Sequence, residues 1–479
     1  MGEARNKLIL ELPSDVTLMD YQERAIEAWK EEAYCGFYDM ATGTGKTFTA
    51  LASISQLALA CDNKLAVFIV CPYKHLVDQW EDDVVAWGTT PIIGHSDSPD
   101  KDWEAKLVKA YKRYKQSGKS FICITTNRSF TGSCMQRIMK NIEPDMDVLL
   151  VIDEVHNFGA EYLRKTLPDN VKYRLGLSAT IERHMDTIGT KALIEYFGES
   201  CIVYGIEDAI KDGKSLCPYD YHPICVFLTE DEKEKYEVLT RRLKDYIFYE
   251  DGIPSISEAG KVILFERARV LAGAINKKYK LLELIESYKN QKNILVYCGA
   301  TNDTESDRKQ IDEITELLNE KGIATRKFTA EENAAERIEI KRLYAAGMYQ
   351  AITAIKCLDE GVNIPGIETA FILSSSRNPK EYVQRRGRLL RKSKGKEKAV
   401  IYDFVIMPTY LAQIRFGDFE MDKNVVLGEL IRVHEFGRLA LNSAESDIFI
   451  ADILDAYGVE NTFDELLLEM EESTDELWG

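Results

Sequence analysis

The sequence lacks the cysteine patterns that hold structural or catalytic metals. Its ten cysteines include no CxxC pair and no Cys/His cluster at metal-ligand spacing. Several of them, including Cys71, Cys123, Cys225 and Cys298, lie within apolar runs that are typical of buried strands. We therefore expect the reduced, buried thiols of a cytoplasmic protein rather than a zinc site or a disulfide framework.

Long apolar runs, internal repeats and low-complexity tracts are also missing. No segment reaches the roughly 18 to 20 apolar residues that a membrane span needs. The N-terminus has no long apolar core of the kind found in a secretory signal. Instead, 479 residues with 45% apolar and 29% charged content indicate a globular protein of two or three domains that does not associate with a membrane.

The charge of the chain is unevenly distributed. The formal net charge is −18, and residues 439–479 contribute 12 acidic side chains with no Lys or Arg. By contrast, residues 385–398 hold eight Lys or Arg and one Glu. A local basic groove can therefore bind nucleic acid, while the acidic segment is expected to lie away from it and is a possible docking surface for a protein partner.

Short β-rich runs alternate with helical stretches, which predicts parallel α/β sheets. The predicted strands are 65–72, 120–126, 147–154 and 173–180 in the first half, and 292–298, 322–328, 350–355, 369–375 and 398–404 in the second. The predicted domains are 1–210, an ATP-binding domain; 211–290, a connecting region that runs from strands into helices; 291–410, a second α/β domain; and 411–479, an acidic helical segment.

The stretch DMATGTGKTFTA, residues 39–50, resembles a phosphate-binding loop. Its glycines allow main-chain N–H groups to surround an anion, the lysine suits the β and γ phosphates, and the threonine hydroxyl suits Mg²⁺. Met40 stands where the usual pattern begins with glycine. The predicted phosphate contacts are Thr42, Gly43, Thr44, Gly45, Lys46 and Thr47.

Two carboxylates, Asp153 and Glu154, follow the apolar run 147–152. An acidic pair at a strand end is common and proves little alone. About 110 residues after a phosphate loop, however, it fits a site in which Asp153 holds Mg²⁺ and Glu154 polarises the attacking water. The two elements together predict an ATP site that uses Mg²⁺.

Four segments carry a family resemblance: MATGTGKT, DEVH at 153–156, LSAT at 177–180 and QRRGRLLR at 384–391. In this order they resemble the superfamily-2 DExH-box helicases and translocases. The nearest group holds the XPB-type helicases and the motor subunits of type I and III restriction enzymes. The resemblance implies two RecA-like parallel-sheet domains in tandem, with a cleft between them. It also accounts for Met40, because the first motif of this superfamily commonly lacks the leading glycine.

The resemblance also implies roles for individual residues. The segment LMDYQERAIEAW looks like the adenine-recognition element of the family, with Tyr21 and Gln22 matching. CLDEGVNIP, residues 357–365, looks like motif V, with Asp359 and Gly361 between ATP and nucleic acid. In motif VI, Arg388 and Arg391, three apart on a helix, would approach the γ-phosphate. The other implied positions are Gln384 at the γ-phosphate or the attacking water; His156, Ser178, Thr180 and Arg385 in coupling; and Pro72, Tyr73, Thr125, Thr126, Arg128 and Lys356 as nucleic-acid contacts.

The function that follows is a nucleic-acid-dependent ATPase that acts as a helicase or translocase, with DNA favoured over RNA. One alternative is an ATPase switch that senses nucleic acid and signals to a partner without unwinding. RNA unwinding, and a phosphate-loop ATPase unrelated to nucleic acid, also remain open. The sequence leaves undecided single strand against duplex, polarity of movement, pathway and oligomeric state.

Overall fold

The computed structural model describes residues 10–13, 16–98, 100–181, 186–250, 253–301, 309–329, 331–355, 364, 366–375, 378–415 and 418–472. The chain divides into two compact units, Met1–Ser215 and Leu216–Gly479. In the described ranges no helix combines the length and the apolar character that crossing a membrane requires.

A parallel sheet forms the centre of the first unit. Its described strands are β1 Cys35–Met40, β2 Ala66–Cys71, β3 Ile92–Gly94, β4 Phe121–Thr126, β5 Val148–Ile152, β6 Tyr173–Ser178 and β7 Ser200–Tyr204. They are ordered β3-β4-β2-β5-β6-β1-β7. The central strands β2 and β5 are apolar and fully buried, as expected where helices cover both faces of a parallel sheet.

Helices connect these strands. They are α1 Asp20–Glu31, α2 Lys46–Ala60, α3 Lys74–Ala86, α4 Trp103–Ser117, α5 Asn127–Phe130, α6 Ser133–Lys140, α7 Glu161–Arg164, α8 Thr187–Phe197 and α9 Ile206–Lys211. Because β5, β6 and β1 are neighbours in one parallel sheet, the loops that follow them emerge at the same edge. The fold therefore gathers the ends of three predicted motifs.

The second unit also contains a parallel sheet. Its described strands are β8 Tyr219–Phe227, β11 Ile294–Tyr297, β12 Thr325–Phe328, β13 Ala351–Ala354, β14 Thr369–Ile372 and β15 Ala399–Met407. They are ordered β12-β13-β11-β14-β15-β8. A separate antiparallel hairpin is formed by β9 Ile247–Glu250 and β10 Ile253–Ile256. The edge strand β8 lies within the predicted connecting region, and it pairs with β15 along all nine of its residues.

Helices flank this second sheet and continue to the end of the described chain. They are α10 Glu230–Leu243, α11 Glu258–Ala272, α12 Asn276–Leu284, α13 Gln310–Glu320, α14 Ala334–Ala345, α15 Pro379–Leu389, α16 Asp418–Gly437, α17 Ser443–Ala456 and α18 Phe463–Glu472. The predicted fold class is confirmed: two parallel-sheet α/β domains in tandem are followed by a helical segment.

Candidate ATP site and nucleic-acid contacts

A glycine loop, residues 41–45, joins β1 to α2. Gly43 and Gly45 have φ angles of +93° and +83°, which L-residues with a side chain rarely adopt. A Cβ atom on Gly45 would lie 2.7 Å from Nε2 of Gln22. Glycine is therefore required at this position. The loop ends at the N-terminus of α2, where main-chain N–H groups and the helix dipole favour a phosphate.

Met40, which stands in place of the usual leading glycine, has no positive φ angle and ends β1. Its side chain is fully buried at the end of β1, and its main-chain carbonyl accepts a hydrogen bond of 2.8 Å from Nζ of Lys46. The hydroxyl of Thr44 donates to the carbonyl of Ala41 at 2.7 Å, which closes the loop on itself. Thr47, the second residue of α2, is half-buried beside Lys46.

Helix α1 contacts the same loop. The Tyr21 hydroxyl donates to the Thr44 carbonyl at 2.8 Å, and its ring stacks on Tyr204 with centroids 3.9 Å apart. The Gln22 amide nitrogen lies 3.4 Å from the Thr44 carbonyl, and its amide oxygen accepts from the Met19 main-chain nitrogen at 2.9 Å. The structure thus brings both predicted adenine-recognition residues to the glycine loop.

The first carboxylate, Asp153, is buried at the end of β5. Its two oxygens accept hydrogen bonds from the indole nitrogen of Trp80 at 3.0 Å and from the Glu154 main-chain nitrogen at 2.9 Å. Burial, and then the neighbouring Glu154 carboxylate, raise the pKa of Asp153 to about 6, while the Trp80 hydrogen bond and the charge of Lys46 act against this rise. The site therefore favours a cation beside Asp153.

The second carboxylate, Glu154, begins a chain of contacts towards β6. Its backbone has φ +46°, a strained conformation for a residue with a side chain. Nδ1 of His156 lies 3.4 Å from a Glu154 carboxylate oxygen and 3.3 Å from the Ser178 hydroxyl. The Ser178 hydroxyl donates in turn to the Thr180 carbonyl. These contacts join Glu154 to His156 and Ser178, two of the residues to which the family resemblance assigns a coupling role.

The arginine-rich motif of the second unit forms most of α15. Arg385 is buried, with its guanidinium 3.8 Å above the centre of the Tyr297 ring and 3.0 Å from the Ser375 hydroxyl. Gln384 and Arg388 are half-buried on the same helix. Arg391 lies beyond the helix end, in an antiparallel bridge with Leu216, so the expected helical spacing does not extend to it.

The two predicted γ-phosphate arginines remain neighbours in spite of this. Burial, and then the positive charge of Arg388, lower the pKa of Arg391 to about 10. Arg391 thus stays charged at neutral pH. Two like charges placed close together at a half-buried position favour an anionic ligand, and a triphosphate has this character.

The predicted nucleic-acid contacts differ in exposure. Tyr73 is 45% exposed just before α3, with Pro72 half-buried beside it, and Arg128 is exposed on α5. Thr126 caps α5 by accepting from the Ser129 main-chain nitrogen at 3.3 Å. Thr125 is fully buried and donates to the Gly94 carbonyl at 2.6 Å. Lys356, Asp359 and Gly361 lie outside the described residues.

Trp80 is the site residue that sequence reasoning missed. It is almost fully buried on α3, 73 positions before the carboxylate to which it donates. A tryptophan in an amphipathic helix gives no signal of such a contact, since packing alone accounts for its pattern. The family resemblance assigned Pro72 and Tyr73, which lie just before α3, to nucleic acid and gave no role to Trp80.

Comparisons with known proteins agree with these motifs. Residues 15–183 match the family described as "Type III restriction enzyme, res subunit", and residues 276–393 match the "Helicase conserved C-terminal domain". The chain is 28% identical over 406 residues to a DNA 3'-5' translocase, XPB2, of Sulfurisphaera tokodaii. That alignment covers 81% of each protein.

Two solved structures share the fold. The ATP-dependent type ISP restriction-modification enzyme LlaBIII, bound to DNA, superposes with a TM-score of 0.57 over 97% of this chain, at 17% identity, and this chain spans 31% of that enzyme. The helicase domain of Pyrococcus furiosus Hef gives a TM-score of 0.51 at 17% identity, covering 81% of this chain and 95% of that domain. The family matches occur in the same order as the motifs, and with the translocase relative they indicate an ATP-hydrolysing helicase or translocase of superfamily 2.

Proposed function

We propose that this protein is a DNA-dependent ATPase that moves along DNA or separates its strands. The observation that carries the proposal is the placement of Lys46, Asp153 and Glu154 at one edge of a parallel sheet, with contacts running from Glu154 through His156 to Ser178. DNA is proposed as the substrate because the relative from Sulfurisphaera is a DNA translocase.

The residues fit a bound Mg²⁺–ATP. Among the described residues no three His, Cys, Asp or Glu side chains could hold a metal by themselves. This agrees with Mg²⁺, which binds through one or two protein oxygens together with phosphates and water. Thr47 and Asp153 are the proposed ligands, because Mg²⁺ prefers oxygen ligands and the buried Asp153 carboxylate directly follows β5. When bound, Mg²⁺ would neutralise charge on the phosphates.

The other roles are proposed from the family resemblance and from the chemistry of each side chain. Lys46, which donates to the Met40 carbonyl, would exchange that bond for the β and γ phosphates. Glu154 would accept a proton from the attacking water. We propose that Arg388 and Arg391 neutralise the γ-phosphate, that Gln384 orients the attacking water, and that His156, Ser178, Thr180 and Arg385 link hydrolysis to movement.

The proposed nucleic-acid contacts are the exposed or capping groups Tyr73, Thr126 and Arg128. A phosphate grip of this kind is independent of base sequence and weakens as salt rises. The full burial of Thr125 leaves it out of this surface, while Lys356 stays a prediction. A protein partner on the acidic helices α17 and α18 and a cytoplasmic location also stay predictions.

The test compares ATP turnover with no nucleic acid, single-stranded DNA, duplex DNA, forked DNA and RNA. We expect stimulation by DNA, complete loss of turnover in Lys46→Ala, and parental turnover in Lys165→Ala, whose side chain is 71% exposed on the same unit. Strand displacement on the fork then separates a helicase from a translocase or switch. Parental turnover in Lys46→Ala, or no stimulation by any nucleic acid, would contradict the proposal.

A further inference from the structure

The second arginine of QRRGRLLR, Arg386, contacts a helix outside the motif. Arg386 has no exposed surface, although it stands next to Arg385 and two residues before Arg388. One terminal guanidinium nitrogen donates to a Glu435 carboxylate oxygen at 2.6 Å, and the other donates to the Glu435 main-chain carbonyl. The Tyr219 hydroxyl lies 3.4 Å from the same guanidinium. Arg386 is therefore bound to α16.

Helix α16 is itself fixed to the sheet by a second buried arginine. Arg432 is 2% exposed and donates to the Asp403 carboxylate on β15 at 2.8 Å and to Glu429 at 2.8 Å. The Tyr221 hydroxyl on β8 donates to Asp403 at 2.8 Å. Since bidentate arginine–carboxylate pairs fix orientation as well as distance, α16 has a defined position on β15 and β8.

The arginine helix is thus held from two sides. Arg385 ties α15 to the ends of β11 and β14 through the Tyr297 ring and the Ser375 hydroxyl. Arg386 ties α15 to α16 through Glu435, and its guanidinium lies 5.3 Å from the centre of the Phe436 ring. Arg388, between these two anchors and the helix end, takes its direction from both of them.

We propose that Arg386 and Glu435 are positioning residues that orient α15, so that Arg388 meets the γ-phosphate in the transition state. The proposal rests on the proposed function. A guanidinium with no exposed surface cannot reach a nucleotide without breaking its ion pair with Glu435, and separating a buried guanidinium from its carboxylate is unfavourable. Helix α16 lies in the predicted acidic helical segment 411–479. With this role it becomes part of the ATPase machinery.

The experiment measures DNA-stimulated ATP turnover in Arg386→Leu, Arg388→Ala and the double variant. We expect kcat to fall about 100-fold in Arg386→Leu, with KM for ATP within about threefold, because the phosphate loop belongs to the other unit. Arg388→Ala is expected to lower kcat about 1,000-fold. The double variant should stay within about threefold of Arg388→Ala, because a misplaced Arg388 has little left to contribute.

Two further variants separate positioning from folding. Glu435→Gln keeps the main-chain acceptor and removes the charge, so we expect the same pattern with a loss of about 10-fold in kcat. Arg438→Met removes the exposed partner of the same carboxylate and should leave kcat at the parental level. Thermal unfolding reports which variants fold, and if Arg386→Leu does not, Glu435→Gln carries the test.

The positioning role would be overturned if the kcat loss of the double variant equals the product of the two single losses. It would also be overturned if Arg386→Leu or Glu435→Gln folds and keeps parental kcat. These outcomes differ from a failure of the proposed function. If Arg388→Ala itself retains parental turnover, the proposed role of Arg388 at the γ-phosphate fails together with its positioning, whereas the proposed ATPase function is decided separately by Lys46→Ala and by stimulation with DNA. If Arg388→Ala is inactive and Arg386→Leu is parental, only the positioning role fails.

Discussion

The glycine loop of the first unit and the arginine helix of the second are positioned in different ways. The loop takes its form from its own backbone: Gly43 and Gly45 supply the positive φ angles, and Lys46 donates back to Met40 only six residues earlier. The arginine helix depends instead on a contact between residues 49 positions apart. A phosphate-binding group can therefore be placed by local sequence or by long-range packing.

The largest effect is expected from a substitution in the glycine loop. Gly45→Ala forces a side chain onto a φ of +83° and against Gln22, so we expect ATP turnover to fall about 100-fold or more. Gly395→Ala is the matched control in the second unit, since its φ is +87° but no atom lies within 4 Å of the added Cβ. It should lose about 1 kcal/mol of stability and keep its turnover. Equal losses of turnover in both variants would contradict the local account.

The same contrast decides what the sequence could predict. The glycine loop, the acidic pair and nine of the parallel strands were predicted, because each has a signal contained in a few consecutive residues. The role of β8 as a sheet edge was not, because it pairs with a strand about 180 positions later. The contact of Trp80 with Asp153 and the burial of Arg386 against α16 were missed for the same reason. In both contacts, the sequence around one partner does not indicate the other.

The next largest effect is expected from the long-range contacts of Arg432, and it is measured as a change in the free energy of unfolding. Arg432→Met removes the only charge-bearing side chain that donates to Asp403 in the described residues and leaves two buried carboxylates, Asp403 and Glu429, near each other. We expect a loss of about 3–5 kcal/mol in the unfolding free energy of the second unit, measured by urea titration. Glu161→Gln, which breaks an ion pair whose side chains are 70% and 71% exposed, should change stability by less than about 1 kcal/mol. A loss below about 1 kcal/mol in Arg432→Met would show that α16 is held by apolar packing alone.

A smaller effect is expected from a lysine beside this network. Burial lowers the pKa of Lys277 to about 8 from its ordinary value of 10.5, and its Nζ donates to the Leu271 carbonyl at 2.8 Å. The unfolded chain then binds more protons than the folded one between these two values, so stability rises with pH through this window. Lys277→Met should remove that rise, which amounts to about 3 kcal/mol.

Unfolding titrations at about pH 7 and about pH 10 measure the effect. The stability that Lys277→Met gains over the parent should be larger at the lower pH than at the higher one. Part of this gain is offset because the Leu271 carbonyl loses its donor. Lys280→Met, which removes a lysine with a 36% exposed side chain from the same helix, is the control. The difference in stability between this variant and the parent should be the same at both pH values. An identical pH profile in the parent and in Lys277→Met would contradict the lowered pKa.

The smallest effect is expected from removing a long-range hydrogen bond to the glycine loop. Tyr21 makes a long-range contact to the glycine loop, since its hydroxyl donates to the carbonyl of Thr44, 23 positions later. Tyr21→Phe keeps the stack on Tyr204 and removes one hydrogen bond, worth about 1 kcal/mol. We expect ATP to bind about fivefold more weakly, with kcat unchanged, because a less ordered loop must be fixed by the ligand. Tyr162→Phe, at a 71% exposed position, should bind ATP at parental affinity. If Tyr21→Phe also binds at parental affinity, the Tyr21 hydrogen bond does not order the glycine loop, and the contrast between this loop and the arginine helix is larger than the contacts indicate.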